Sequence, residues 1–125
     1  MRKYETIFIS DNSTSNYYGF HFRAKNDKIA LVYGDGGYPS SYSRRGKISS
    51  TSFLINEWNH VAVTVRSGTD MTIYINGIDA DGSYSGSGGS MQHSSHPATI
   101  GMLQNESQFF KGLIDDVSIY NRSLN

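Results

Sequence analysis

The chain has 125 residues, of which 37% are hydrophobic and 18% charged, with eleven basic side chains, eleven acidic side chains and no cysteine. This length supports one domain, residues 1–125, and the lack of cysteine excludes disulfides, thiol catalysis and cysteine-ligated zinc. With zero net charge and no apolar run that could cross a bilayer, we expect no nucleic-acid partner and no membrane insertion. The one compact basic cluster, Arg44-Arg45-Gly46-Lys47, is interpreted as a solvated turn.

Short segments of alternating, β-branched or aromatic residues follow one another along the chain, separated by turn-forming residues. The predicted strands, in chain order, are residues 4–10, 17–24, 28–33, 47–54, 61–65, 71–75, 78–84, 98–102 and 110–120. Asn76-Gly77 is a strong hairpin signal, because both residues tolerate a positive φ. No segment of useful length carries a 3.6-residue apolar stripe. We therefore predict an all-β domain, with two antiparallel sheets packed face to face as a sandwich.

The last predicted strand contains two adjacent acids. Alternation along it places four side chains on one face: Leu113, Asp115, Val117 and Ile119. Asp115 is therefore expected among apolar neighbours, where a carboxylate is costly unless it is hydrogen-bonded, paired or bound to a metal. One interpretation is a structural carboxylate that accepts backbone N–H groups. The other is a ligand of Ca²⁺, with Asp116 as the second metal residue.

Four motifs occur in a fixed order in the second half of the chain. They are Trp58-Asn59-His60-Val61-Ala62-Val63-Thr64, Ile73-Tyr74-Ile75-Asn76-Gly77, Ile100-Gly101 and Phe110-Lys111-Gly112-Leu113-Ile114-Asp115-Asp116-Val117-Ser118-Ile119-Tyr120-Asn121-Arg122-Ser123-Leu124. This ordered set resembles the laminin-G-like, concanavalin A-like jelly-roll domains, a superfamily that also contains pentraxins and legume-type lectins. The resemblance implies a jelly-roll sandwich, and it implies that Trp58 packs in the core at the start of its strand.

The resemblance also implies strands that this chain lacks. Domains of this kind usually begin with one or more further strands, and here Met1-Arg2-Lys3 leads directly into the first predicted strand without a signal peptide. We therefore expect a fragment of a longer chain or a minimal member of the superfamily. A missing strand leaves an unpaired edge or an uncovered apolar face, and we expect a homo-oligomer, a swapped strand or a neighbouring domain to cover it.

Candidate ligand-binding residues lie in the polar loop after the third predicted strand. Tyr38 and Tyr42 offer flat apolar area with a hydroxyl, and Asp35 can accept hydrogen bonds from sugar hydroxyls. The alternative is ordinary turn chemistry. His93 and His96 have a spacing that could bind a metal, but they lie in a Ser/Gly loop without an evident third ligand and are interpreted as a solvated pair.

Catalytic patterns are not evident in the sequence. Retaining glycoside hydrolysis needs two carboxylates close together, whereas Glu5, Glu57 and Glu106 are isolated. We therefore predict a non-catalytic extracellular or cell-surface recognition module that binds a glycan, with Ca²⁺ in a structural or ligand-ordering role. The alternative is a structural or adhesive module that binds an extracellular protein, and a glycoside hydrolase is the least favoured function.

Overall fold

A computed structural model describes residues 4–13, 15–103 and 108–122. The described residues form nine strands and one 3₁₀ turn, at Ser41–Ser43. The strands are β1 (Tyr4–Ile9), β2 (Phe20–Lys25), β3 (Lys28–Gly34), β4 (Arg44–Ile48), β5 (Val61–Ser67), β6 (Asp70–Ile75), β7 (Ile78–Asp79), β8 (Ser83–Gly86) and β9 (Thr99–Ile100). The predicted all-β class is confirmed, and no described helix is long and apolar enough to cross a membrane.

Two antiparallel sheets make up the sandwich. The larger sheet has the strand order β8-β4-β3-β2-β1-β9, and the smaller has the order β5-β6-β7. Strands β1 to β4 follow one another as antiparallel neighbours, and the chain then builds the smaller sheet before it returns to both edges of the larger one. This arrangement is the predicted sandwich of two antiparallel sheets.

The core lies between the two sheets. Leu31 of β3 packs in one cluster with Met71 of β6, and Ile29 of β3 packs in a second cluster with Ile73 of β6, because alternation turns every second residue of each strand toward the other sheet. The predicted turn at Asn76-Gly77 joins β6 to β7, with φ values of 53° and 80° that match the hairpin signal.

The strand predicted at residues 110–120 is not formed, so that prediction is wrong. Leu113, Val117 and Ile119 are 77%, 41% and 55% exposed, and Asp115 is exposed instead of lying among buried apolar side chains. The physical reason is local, because Asp116 has a φ of 52°, which turns the backbone out of the extended conformation that a regular alternation needs. In the part of the chain that the structure describes, the outer edge of β5 has no strand partner.

Three further expectations need correction. Trp58 is 67% exposed in the segment before β5, so its expected place in the core is wrong. The basic cluster predicted as a turn forms β4, which replaces the strand expected at residues 47–54. The strand predicted at residues 78–84 is divided into β7 and β8, because Asp81 and Gly82 have φ values of 52° and 144°.

Candidate functional site

Asp35 lies directly after β3 and holds two loops together. We call residues 35–43 the tyrosine loop and residues 87–98 the glycine–serine loop. The Oδ1 atom of Asp35 accepts a hydrogen bond from the backbone N–H of Gly37 at 2.9 Å, and Oδ2 accepts one from Gly89 at 2.9 Å. Both carboxylate oxygens are therefore already engaged with backbone, so the observed role of Asp35 is to position the two loops.

The two predicted tyrosines project from the tyrosine loop. Tyr38 is 80% exposed and Tyr42 is 79% exposed. Tyr42 lies in the 3₁₀ turn, and the hydroxyl of Ser40 caps this turn by accepting a hydrogen bond from the backbone N–H of Tyr42. The backbone N–H of Ser87 also donates to the carbonyl of Ser41 at 2.9 Å, so the glycine–serine loop supports the turn. The structure thus exposes both rings on a hydrogen-bonded surface, while the Asp35 carboxylate faces backbone amides.

An open groove of about 490 Å³ lies beside these loops. It is lined by Tyr33, Val65, Arg66, Ser67, Gly68 and residues 88–91. Gly89 belongs both to this lining and to the contact with Asp35, so the groove adjoins the predicted ligand-binding residues. The lining combines the apolar side chains of Val65 and Met91 with the hydroxyls of Tyr33, Ser67 and Ser90. The strand β5 residues in this lining were missed, because only the third dimension places them beside residues 88–91.

Asp11 anchors the second half of the glycine–serine loop. Its carboxylate is 4% exposed and accepts hydrogen bonds from the hydroxyl of Ser10, the ring Nδ1 of His93, and both the backbone N–H and the hydroxyl of Ser94. Burial acts to raise the pKa of Asp11, but these four donors outweigh burial and hold the pKa below its ordinary value. A Cβ on Gly19 would lie 2.0 Å from Asp11 Oδ1, so this position requires glycine.

Both histidines of the loop are exposed, as expected of a solvated pair, and each ring makes one hydrogen bond within the loop network. His96 Nδ1 lies 2.8 Å from the hydroxyl oxygen of Ser94, and that hydroxyl has one proton, which it donates to Asp11. His96 must then donate to Ser94, so it is not oriented as a base that activates a serine nucleophile. Within residues 4–13, 15–103 and 108–122, no group of three or more His, Asp or Glu side chains gathers as a metal site.

Asp115 and Asp116, predicted as metal residues, are both exposed. Asp115 Oδ1 accepts the backbone N–H of Asp116 at 2.9 Å, which is the kind of contact expected of a structural carboxylate. Ca²⁺ takes about six to eight oxygen ligands, and among the described residues no third acidic or histidine side chain gathers with this pair. A Ca²⁺ role for these residues stays a prediction.

Comparison with known proteins identifies a family and one structural relative. The laminin G-like family model described as the concanavalin A-like lectin/glucanases superfamily matches residues 2–125. A crystal structure of an S-layer domain-containing protein (residues 221–444) from Clostridium thermocellum is 24% identical, with a TM-score of 0.42. That likeness covers 98% of this chain, which spans 59% of the solved chain. No curated protein matches the chain.

Proposed function

The chain belongs to the concanavalin A-like lectin/glucanase superfamily, and from that premise we propose that it is a non-catalytic extracellular recognition module that binds carbohydrate. The observation that carries the proposal is the loop surface beside the open groove, where Tyr38 and Tyr42 are about four-fifths exposed. Flat aromatic rings with a polar edge suit sugars, which present apolar C–H faces and peripheral hydroxyls to a binding surface.

Rigid support of the loops favours binding. Asp35 joins the tyrosine loop to the glycine–serine loop, and Asp11 fixes the latter again at Ser94. A loop that is already ordered loses less conformational entropy when a ligand binds, so weak contacts with hydroxyls can yield measurable affinity. The network of backbone hydrogen bonds therefore supports a recognition surface more than it supports an ordinary mobile turn.

The groove lining supports a binding role without catalysis. Glycoside hydrolysis usually uses two carboxylates that flank the bond to be broken. The residues that line the groove include no aspartate or glutamate, and the nearby Asp35 directs both oxygens to backbone N–H groups. The buried Asp11 carboxylate is likewise occupied by four donors. These side chains serve loop structure.

A glycan array probed with the folded protein tests the proposal, run once with Ca²⁺ and once with EDTA. We expect selective glycan binding that Tyr38→Ala and Tyr42→Ala each weaken by about tenfold, since truncating an aromatic contact residue typically costs more than 1 kcal/mol. Tyr120→Ala is the matched control, because Tyr120 is 62% exposed outside the loop surface. Absence of glycan binding by protein with a native circular-dichroism spectrum would contradict the proposal. Binding lost in EDTA would direct attention to Asp115.

A second candidate function is an adhesive module that binds protein. It is favoured by the exposed apolar side chains Leu113, Val117 and Ile119, together with the edge of β5 that has no partner in the described residues. Unpaired edges and apolar patches are common sites of association between chains. If the module associates through this surface, sedimentation velocity will show a concentration-dependent oligomer that Val117→Lys dissociates. A monomer at all concentrations would argue against self-association.

A further inference from the structure

A tyrosine from the core contributes its hydroxyl to the open groove. Tyr33 belongs to β3 and packs in one cluster with Leu31 and Met71, so that only 5% of the residue is exposed. It nevertheless lines the groove, and its Oη atom is not among the polar atoms that are sealed from solvent without a partner. None of the hydrogen bonds among the described residues involves this hydroxyl. A buried side chain therefore presents an unpaired polar atom to the groove.

Gly68 leaves this hydroxyl uncovered. A Cβ on Gly68 would lie 2.9 Å from the Oη atom of Tyr33, and both residues line the groove. The turn that carries Gly68 joins β5 to β6, and Arg45 of the larger sheet fixes it, because the guanidinium Nε donates to the Gly68 carbonyl at 2.6 Å. The hydroxyl thus lies at the base of an opening that a side chain at position 68 would fill.

A neighbouring tyrosine shows how a structural hydroxyl is paired in this fold. The Oη atom of Tyr84 accepts the backbone N–H of Met71 at 2.9 Å, and it lies 3.2 Å from the carbonyl oxygens of Thr69 and Met71. Polar atoms of buried side chains in folded proteins nearly always have such partners. The contrast with Tyr84 indicates that the hydroxyl of Tyr33 is available to a group from outside the chain.

The groove offers apolar contacts next to this hydroxyl. Val65 and Met91 pack against the cluster that contains Tyr33, and both line the groove. Among the described residues of the lining, Arg66 carries the only charge, and its guanidinium lies 3.9 Å from the carboxylate of Asp70. A ligand that fits this surface therefore combines a hydrogen-bond acceptor with an adjacent apolar group and needs no charge.

The wall that carries Met91 is already ordered. The next residue, Gln92, donates its backbone N–H to the carbonyl of Gly34 at 3.0 Å, and its own carbonyl accepts the N–H of Gly19 at 2.6 Å. Both contacts join this wall to the larger sheet beside Tyr33. A preformed wall lowers the entropic cost of binding, so one hydrogen bond and a small apolar contact can select between similar ligands.

We propose that the groove binds an N-acetylated sugar, with the acetamido group placed against Tyr33. The tyrosine hydroxyl donates to the acetamido carbonyl oxygen, which is an acceptor without a proton of its own. The acetamido methyl packs on Val65 and Met91, where a sugar hydroxyl would lose hydration without gaining a partner. The exposed Ser90 of the lining offers its hydroxyl to the sugar ring. The inference rests on the proposed carbohydrate-binding function and names its ligand class.

Isothermal titration calorimetry with two matched trisaccharides tests the inference. Triacetylchitotriose and cellotriose share the same backbone and differ in whether each sugar carries an acetamido group or a hydroxyl. We expect the acetylated trimer to bind about tenfold more tightly, and Tyr33→Phe to remove this preference by weakening its binding about tenfold, as for one lost hydrogen bond. Gly68→Ala, which covers the hydroxyl, should weaken the same binding and provides an independent variant.

Melting temperatures separate a binding hydroxyl from a structural one. Tyr33→Phe should melt with the unmodified protein, because its hydroxyl has no partner among the described residues to lose. Tyr84→Phe should melt at a lower temperature, because it loses its hydrogen bonds to the turn between β5 and β6. The matched binding control is Tyr120→Phe, which removes a hydroxyl from a residue that is 62% exposed outside the groove lining and should leave trisaccharide binding unchanged.

The outcomes separate the inference from the proposed function. If cellotriose and the acetylated trimer bind equally through Tyr38 and Tyr42, with no effect of Tyr33→Phe, the inference fails and the proposed function stands. Silence of the folded protein on every glycan would overturn both. A melting temperature of Tyr33→Phe as low as that of Tyr84→Phe would show a structural hydroxyl and overturn the site. Equal weakening by Tyr120→Phe would likewise overturn it.

Discussion

Removal of the Asp11 carboxylate is expected to destabilise the protein and release the glycine–serine loop. Asp11 is buried and accepts four hydrogen bonds, two of them from Ser94. The donors on Ser10 and His93 can turn toward water after truncation, whereas the backbone N–H of Ser94 is fixed by the loop. A hydrogen bond to a charged group contributes about 1.5–3 kcal/mol, so we expect Asp11→Ala to lower the free energy of unfolding by about 2–4 kcal/mol.

Urea unfolding followed by far-ultraviolet circular dichroism measures this loss. The intrinsic fluorescence of Trp58 is a poor probe, because that side chain is 67% exposed in the native state. Hydrogen exchange at Ser94 provides the local readout, since a released loop loses protection there. The matched control is Asp70→Ala, which removes an exposed carboxylate 3.9 Å from Arg66 and should cost less than about 1 kcal/mol. If Asp11→Ala is as stable as Asp70→Ala and Ser94 stays protected, the anchoring role of Asp11 is refuted.

Three further outcomes follow from the structure. Burial, and then the neighbouring guanidinium of Arg23, lowers the pKa of His21 from 6.5 to about 3, so the unfolded chain binds the proton more readily and stability falls as the pH drops from 6.5 toward 3. The variant His21→Gln should therefore reduce the pH dependence of the urea unfolding midpoint between about pH 7 and pH 5. An unchanged pH dependence would contradict a buried, neutral histidine. Gly34→Ala should lower the free energy of unfolding by more than about 2 kcal/mol, because a Cβ there would lie 2.4 Å from the Tyr17 backbone. Gly77→Ala has open space around its Cβ and should lower it by about 1 kcal/mol, because of its positive φ. Equal melting temperatures of the two variants would contradict this packing at Gly34. If the Asp115 carboxylate is only structural, the melting temperature of Asp115→Asn should stay within about 1 °C of that of the unmodified protein, both in Ca²⁺ and in EDTA. A rise of the melting temperature with Ca²⁺ that Asp115→Asn abolishes would instead establish the metal site.

Local sequence patterns were sufficient for the fold class. Alternation of apolar residues and clusters of turn-forming residues predicted most of the strands, and Asn76-Gly77 predicted its hairpin, because these preferences act between residues that are close in sequence. The same patterns could not reveal that Asp116 adopts a left-handed conformation, so residues 110–120 were predicted as a strand. A strand also needs a partner, and alternation alone does not supply one.

The exposed tyrosines could be named from residue type, but their supports could not. Asp11 and Ser94 are 83 positions apart, and Asp35 and Gly89 are 54 apart, so no local signal connects the carboxylates to the loop they hold. Likewise, Arg44, Arg45 and Lys47 look like one basic cluster in the sequence. Strand register turns Arg44 away from the smaller sheet and the other two residues toward it.

The sequence by itself determined the all-β architecture, the hairpin at Asn76-Gly77 and the membership in a superfamily, since each depends on the order and spacing of residues along the chain. Only the tertiary structure decided which carboxylates became loop anchors and which apolar side chains stayed exposed. The physical reason is that hydrogen bonding, desolvation and burial depend on distances in space, and strand pairing sets those distances between residues that are remote in the chain.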